Sequence, residues 1–116
     1  MIVLPGALPN AFTLAENKDV QKLLKEFKTS NKNIAAICAA PYALHTADVL
    51  NKNYTCYPSF EQKIRQNGYQ NENDVLIDKN VITSKGPATA LSFALEIVKI
   101  LKGEETYKSV KNDLLA

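Results

Sequence analysis

The 116-residue chain has no tryptophan, a single histidine, two cysteines and four glycines, and each scarcity excludes something. One His and two widely spaced Cys supply no ligand cluster, so neither a metal site nor a disulfide scaffold is expected. No run of like charge exceeds two residues, and 14 basic side chains balance 12 acidic ones to a net charge of +2. That pattern gives no purchase to nucleic acid or to an anionic membrane surface. No apolar run approaches the ~20 residues that span a bilayer. The opening Met1-Ile2-Val3-Leu4-Pro5-Gly6 has neither the basic start nor the long apolar stretch of a secretory signal, which predicts a cytoplasmic chain with reduced thiols.

What is present suits one modest globular domain, 1–116. The apolar share is 46% and the charged share 22%. Ile2-Val3-Leu4, stopped by Pro5-Gly6, reads as a short buried strand and turn. Residues 7–15 read as loop, with Pro9-Asn10 as a breaker. Asn17-Lys18-Asp19 opens a helix in which Val20, Leu23, Leu24 and Phe27 recur on one stripe. Ile34 to Cys38 is a second buried strand, leading into a helix from about Pro41 to Leu50. Tyr54 to Tyr57 reads as a short strand, and Pro58 opens a small helix. Val75–Ile77 and Val81–Thr83 flank Asp78-Lys79-Asn80 as an antiparallel hairpin. Residues 87–102 form a helix apolar enough to be buried on most sides, ended by Gly103, with a last helix at about 104–112. Alternating strands and helices, with strands lacking period-2 alternation, predict an α/β fold with a mostly parallel sheet covered on both faces. The first strand then lacks a neighbour, and its edge is expected to pair with something else.

The segment Ile34-Ala35-Ala36-Ile37-Cys38-Ala39-Ala40-Pro41 carries the chemistry. In open α/β sheets ligands gather at the carboxyl ends of strands, where Cys38 sits. Small residues after a nucleophile allow a tight strand-to-helix turn, and the Ala39 amide would point with the thiol. A second donor could come from Pro5-Gly6-Ala7, so that two amides form an oxyanion hole. The other reading of Cys38 is a small buried hydrophobe. His45 stands seven residues on, about 10 Å along the same predicted helix, too far for a Cys–His dyad, and reads as a surface or packing residue. Cys56 reads as structural, Tyr57 could lend its hydroxyl to the pocket, and Ser84 as a helix cap at Thr83-Ser84-Lys85-Gly86-Pro87.

Three stretches together resemble the ThiJ/PfpI superfamily, in particular its Parkinsonism-associated deglycase branch. They are Ile2–Gly6, Ile34–Pro41, and Ile82-Thr83-Ser84-Lys85-Gly86-Pro87-Ala88-Thr89-Ala90 with Phe93-Ala94-Leu95. The resemblance implies a flavodoxin-like sandwich, usually homodimeric, that needs no cofactor. It also implies a glyoxalase or deglycase acting on methylglyoxal-type aldehydes and glycated adducts, or a redox-regulated chaperone and oxidative-stress sensor. Cys38 matches the family cysteine, and Gly6, Ala7 and Ala39 match the turns lining its pocket. Tyr57 falls where that branch often carries a histidine, and Ala7 replaces a second glycine. The family fold usually begins about 60–70 residues earlier, with a βαβ unit holding a glutamate that bonds the cysteine. The expected partner is therefore a second copy or that segment, with the general base outside these 116 residues.

Overall fold

The computed structural model describes residues 1–116. Four strands, β1 (Ile2–Leu4), β2 (Ile34–Ile37), β3 (Val75–Asp78) and β4 (Val81–Ser84), form one sheet in the order β1-β2-β4-β3. β1, β2 and β4 are parallel, with Leu4 opposite Ala36 and Ala36 opposite Thr83. β3 returns antiparallel on β4, so the hairpin stands where the sequence places it. Lys79 takes φ +58° in its two-residue turn, and the Asn80 side chain donates to the Lys32 carbonyl 2.7 Å away. The mostly parallel α/β fold expected from the alternation of elements is the fold observed.

Side chains alternate across the sheet, which defines two faces. On one face Leu4, Ile34, Ala36 and Val81 pack with Ala11, Leu24, Ala43, Leu44 and Ile64 into the main core. The helices α1 (Asn10–Glu16), α2 (Lys18–Thr29), α3 (Pro41–Thr46) and α4 (Glu61–Ile64) supply that cover. α2 starts on an Asn17 side chain that accepts from the Asp19 and Val20 amides, and it ends at Thr29 before Ser30. On the other face only α5 (Ala90–Lys102) lies against the sheet, through Phe93 on Ala35 and Ile82. α6 (Glu104–Asp113) packs on α5 after the break at Gly103.

Four expectations need correction. Residues 10–16 are helical, not loop: Pro9 occupies the N-cap, where its missing N–H costs nothing, and Ala11 and Ala15 bury one face. The helix after Cys38 stops at Thr46, because Asp48 turns to φ +60° and drops Val49 and Leu50 into the core outside the helix. Tyr54–Tyr57 is no strand. Its only ladder contact is a bridge between Tyr54 and Tyr69, carried by bonds to Gly68 and Gln70. Finally, 87–89 is a 3-10 turn, and α5 buries only Phe93 and Leu95 while Leu91 and Leu101 stand about half exposed, at 48% and 54%.

Candidate functional site

Cys38 stands one residue past the carboxyl end of β2 with φ +66°, a left-handed conformation that a non-glycine residue enters at a cost of roughly 1–2 kcal/mol. Two backbone bonds hold it there. Its N–H donates to the Ser84 carbonyl at 2.9 Å, and its own carbonyl accepts from the Tyr57 N–H at 2.8 Å. The elbow is thus tied to β4 on one side and to the 54–58 segment on the other. The side chain remains half-buried.

Gly6 lies directly against this elbow. A Cβ at Gly6 would fall 2.5 Å from the Cys38 Cβ, 2.7 Å from the Ile37 carbonyl and 3.4 Å from the Ala39 nitrogen. The first distance is far inside van der Waals contact, so only glycine lets the two turns meet. Ala7 follows at φ +74°, the region a glycine would occupy without strain. Asn10 holds the turn in place, its Nδ2 donating to the Pro5 and Gly6 carbonyls at 3.0 and 3.1 Å. The N–H groups of Ala7 and of buried Ala39 have no acceptor within the chain.

Tyr57 is 46% exposed beside the elbow. Its ring edge lies against Gly86, where an added Cβ would stand 3.3 Å from Cδ2. Tyr57, Pro58, Lys85, Gly86, Pro87, Ala88 and Thr89 border a shallow hollow of about 240 Å³. The Gly86 turn is closed by a buried hydroxyl pair: Ser84 and Thr89 oxygens are 2.6 Å apart, and Ser84 also donates to the Asp74 carbonyl. Ser84 therefore ends β4 and pins the turn, whereas capping falls to Thr89, which bonds both the N–H and the carbonyl of Gly86.

The structure brings Gly6, Ala39 and Tyr57 to Cys38, and places Ala7 next to Gly6. His45 points elsewhere, its Nδ1 3.1 Å from Gln66 Oε1. Cys56 is fully buried in the main core. Burial above all, then the Glu61 carboxylate, pushes its thiol up to about 12, so it stays protonated at neutral pH. In the sequence Asn10 reads only as part of a breaker, and Ser84 and Gly86 as a capped loop-to-helix junction; what the sequence leaves unmarked is the backbone and hydroxyl groups they meet here. An amide side chain four residues after a Pro-Gly turn is the signal that could have marked Asn10.

Cys38 has no side-chain hydrogen-bond partner within these residues, and no three His, Cys, Asp or Glu side chains converge anywhere. No helix is long and apolar enough to cross a membrane.

Residues 1–100 match the family model described as the DJ-1/PfpI family. The chain is 39% identical over 117 residues to Protein dj-1beta of Drosophila melanogaster, covering 99% of this chain and 63% of that one. It is 39% identical over 115 residues to the glutathione-independent glyoxalase DJR-1.2 of Caenorhabditis elegans, covering 98% and 61%. The crystal structure of Drosophila DJ-1beta superposes with a TM-score of 0.95 at 38% identity, again over 99% of this chain and 63% of that chain. The chain thus spans about three-fifths of the length of these relatives. With residues 1–100 matched by that model and these relatives alike over nearly its whole length, the chain belongs to the DJ-1/PfpI family.

Proposed function

We propose that this chain carries the nucleophilic half of a cysteine-dependent glyoxalase or deglycase acting on methylglyoxal-type aldehydes or their adducts. One observation carries the reading: a half-buried cysteine in a left-handed elbow, with unpaired amides at Ala39 and Ala7 on the turns that meet there. The Cys38 thiolate adds to the aldehyde carbonyl, forming a C–S bond and an oxyanion that the Ala39 and Ala7 amides receive. Protonation of that oxygen gives a hemithioacetal. A base then takes the proton from the carbon bearing sulfur and returns one to the neighbouring carbonyl carbon, giving the thioester of a 2-hydroxy acid. Water cleaves the thioester, releasing lactate and restoring the thiol. No side chain of these residues bonds Cys38, so the base is assigned to none of them.

The test is mass spectrometry of the chain after a short pulse of iodoacetamide with and without methylglyoxal, since only a thiol free of adduct is alkylated. Alkylation of Cys38 that falls when methylglyoxal is present is the expected result. Cys38 alkylation unchanged by methylglyoxal would refute the reading. The 116 residues alone are expected to release no D-lactate, and sustained release would show that the base lies within them.

A second reading has its own support. A solvent-reachable thiol without a proton-transfer partner suits an oxidative-stress sensor or redox-regulated chaperone better than a turnover catalyst. Dilute peroxide should then add oxygen to Cys38 ahead of Cys56. Indiscriminate oxidation of both would remove this alternative.

A further inference from the structure

The chain has eleven asparagines, and only Asn67 precedes a glycine. The fold requires that glycine. Gly68 stands at φ +105°, and a Cβ there would lie 1.6 Å from the Lys52 carbonyl oxygen and 2.8 Å from its carbon. Neither the backbone angle nor the space admits a side chain. Asn67 itself is exposed, two residues past Arg65, the left-handed cap of α4.

The residues on either side of Asn67 are fastened. The Gln66 carbonyl accepts from the Tyr54 hydroxyl at 2.8 Å, and Gln66 Nε2 donates to the Asn51 carbonyl at 3.0 Å. The Gly68 carbonyl accepts from the Tyr54 N–H at 3.2 Å, and the Tyr54 carbonyl from the Gln70 N–H at 2.9 Å. Two groups between these bonds are left over. The Asn67 side chain bonds nothing within the chain, and the Gly68 N–H has no acceptor there. Asn10, Asn17, Asn51, Asn53 and Asn80, by contrast, hold their carboxamides in hydrogen bonds. At Asn67 the carboxamide carbon and the backbone nitrogen one residue on are both unengaged, and no Cβ shields the nitrogen.

We propose that Asn67-Gly68 is a self-modification site, where the chain converts an asparagine to isoaspartate without help from another protein. The deprotonated Gly68 nitrogen attacks Asn67 Cγ and forms a C–N bond. The bond from Cγ to the side-chain nitrogen breaks, and ammonia leaves with the proton that Gly68 gave up, closing a succinimide ring. Water then opens the ring. Attack at Cγ gives aspartate on the ordinary main chain. Attack at the backbone carbonyl carbon gives isoaspartate, whose main chain runs through the former side chain. Either product adds one negative charge, so the net charge falls from +2 to +1.

Only isoaspartate disturbs the packing. It lengthens the main chain between residues 67 and 68 by one C–C bond, about 1.5 Å. Gly68 has no space to take that up toward Lys52, so it moves away and the bridge between Tyr54 and Tyr69 opens. Three residues beyond Tyr54, the Tyr57 N–H holds the Cys38 carbonyl at 2.8 Å. Conversion at Asn67 therefore loosens the segment that braces the elbow, from an exposed position outside it.

The test is ageing of the full chain in mildly alkaline buffer at body temperature, followed by peptide mapping and labelling with an isoaspartyl methyltransferase. Asn67 should gain one dalton and the methyl label roughly tenfold faster than any other asparagine, since only its neighbour lacks a Cβ. Asn67→Gln, at an exposed side chain that bonds nothing, should fold like the parent and lose the label. In the isoaspartate form the Tyr54 and Gln70 amides should lose hydrogen-exchange protection roughly tenfold or more. Freshly purified Asn67→Asp, which has the charge without the longer main chain, should keep that protection. Conversion led by another asparagine would overturn the proposal, as would an intact Asn67 when a free peptide of residues 65–70 is fully converted. Unchanged protection in the isoaspartate form, or equal loss in Asn67→Asp, would overturn it too.

Discussion

Replacing Gly6 with alanine should damage the site far more than the same replacement at Gly86, and the reason is what each new methyl would strike. At Gly6 the Cβ meets the Cys38 Cβ at 2.5 Å and the Ile37 carbonyl at 2.7 Å. Both belong to a backbone already held by the bonds of Cys38 to Ser84 and Tyr57, so relief requires moving β1 and β2 apart or breaking the elbow. Overpacking against such rigid neighbours costs about 1–3 kcal/mol. Taking about 2 kcal/mol, the melting temperature of a domain this size falls by roughly 6–12 °C. At Gly86 the nearest atom is the edge of the Tyr57 ring at 3.3 Å, on a half-exposed side chain that can swing aside. Its cost should stay below about 1 kcal/mol. The assay is urea and thermal unfolding of both variants, paired with the alkylation rate of Cys38. If Gly6→Ala melts within a degree or so of the parent and its Cys38 reacts at the parent rate, the close-approach argument is wrong.

Three further outcomes follow from the same structure. Ala7→Gly should stabilise the fold by about 0.5–1 kcal/mol, since relief of the φ +74° strain outweighs the added chain entropy; a less stable variant in urea unfolding would contradict this. Asn17→Ala removes a side chain that accepts two amides at the start of α2 and should cost about 1 kcal/mol, measured the same way, with an unchanged midpoint counting against the cap. Cys56 makes stability pH-dependent, because its thiol is raised from 9.0 to about 12 in the fold. Its contribution is whole below about pH 9 and is lost as the pH climbs toward 12, where the unfolded chain releases a proton that the folded one keeps. The slope should reach at most about 1.4 kcal/mol per pH unit, and Cys56→Ala should flatten it, leaving a residue from Tyr54, also raised to about 12. An unaltered slope in that variant would remove Cys56 as the cause.

Much of this fold can be read from local pattern, and the failures have physical reasons. Val20, Leu24 and Phe27 mark the buried stripe of α2, and Asp78-Lys79-Asn80 marks a turn that the register confirms. Pro9 misleads because a proline that breaks a helix interior is harmless at its N-cap. Tyr54–Tyr57 has strand composition, but no neighbouring strand lies beside it to complete a ladder, and pairing is a property of two segments. The apolar residues of α5 announce burial without saying by what, so their exposure here is invisible to periodicity. At the site, the small residues after Ile37 point to a tight elbow, which φ +66° at Cys38 bears out as geometry. Asn10 reads as a breaker and Ser84 as a cap, because the carbonyls they bond, those of Pro5 and Gly6 and of Asp74, carry no mark in the sequence.

The two sulfurs sit in opposite relations to solvent, and that gives the molecule two clocks. Cys38 is half-buried on a backbone bonded at both its N–H and its carbonyl, so a reagent can reach the sulfur while the chain around it stays closed. Cys56 is wholly enclosed, so the same reagent must wait for the core to open. For a domain stable by about 5 kcal/mol that waiting slows the reaction by roughly 10³–10⁴-fold. Under a single thiol reagent, the first label to appear times access to the elbow and the second times global unfolding. One labelling course can thus separate loss of the site from loss of the fold.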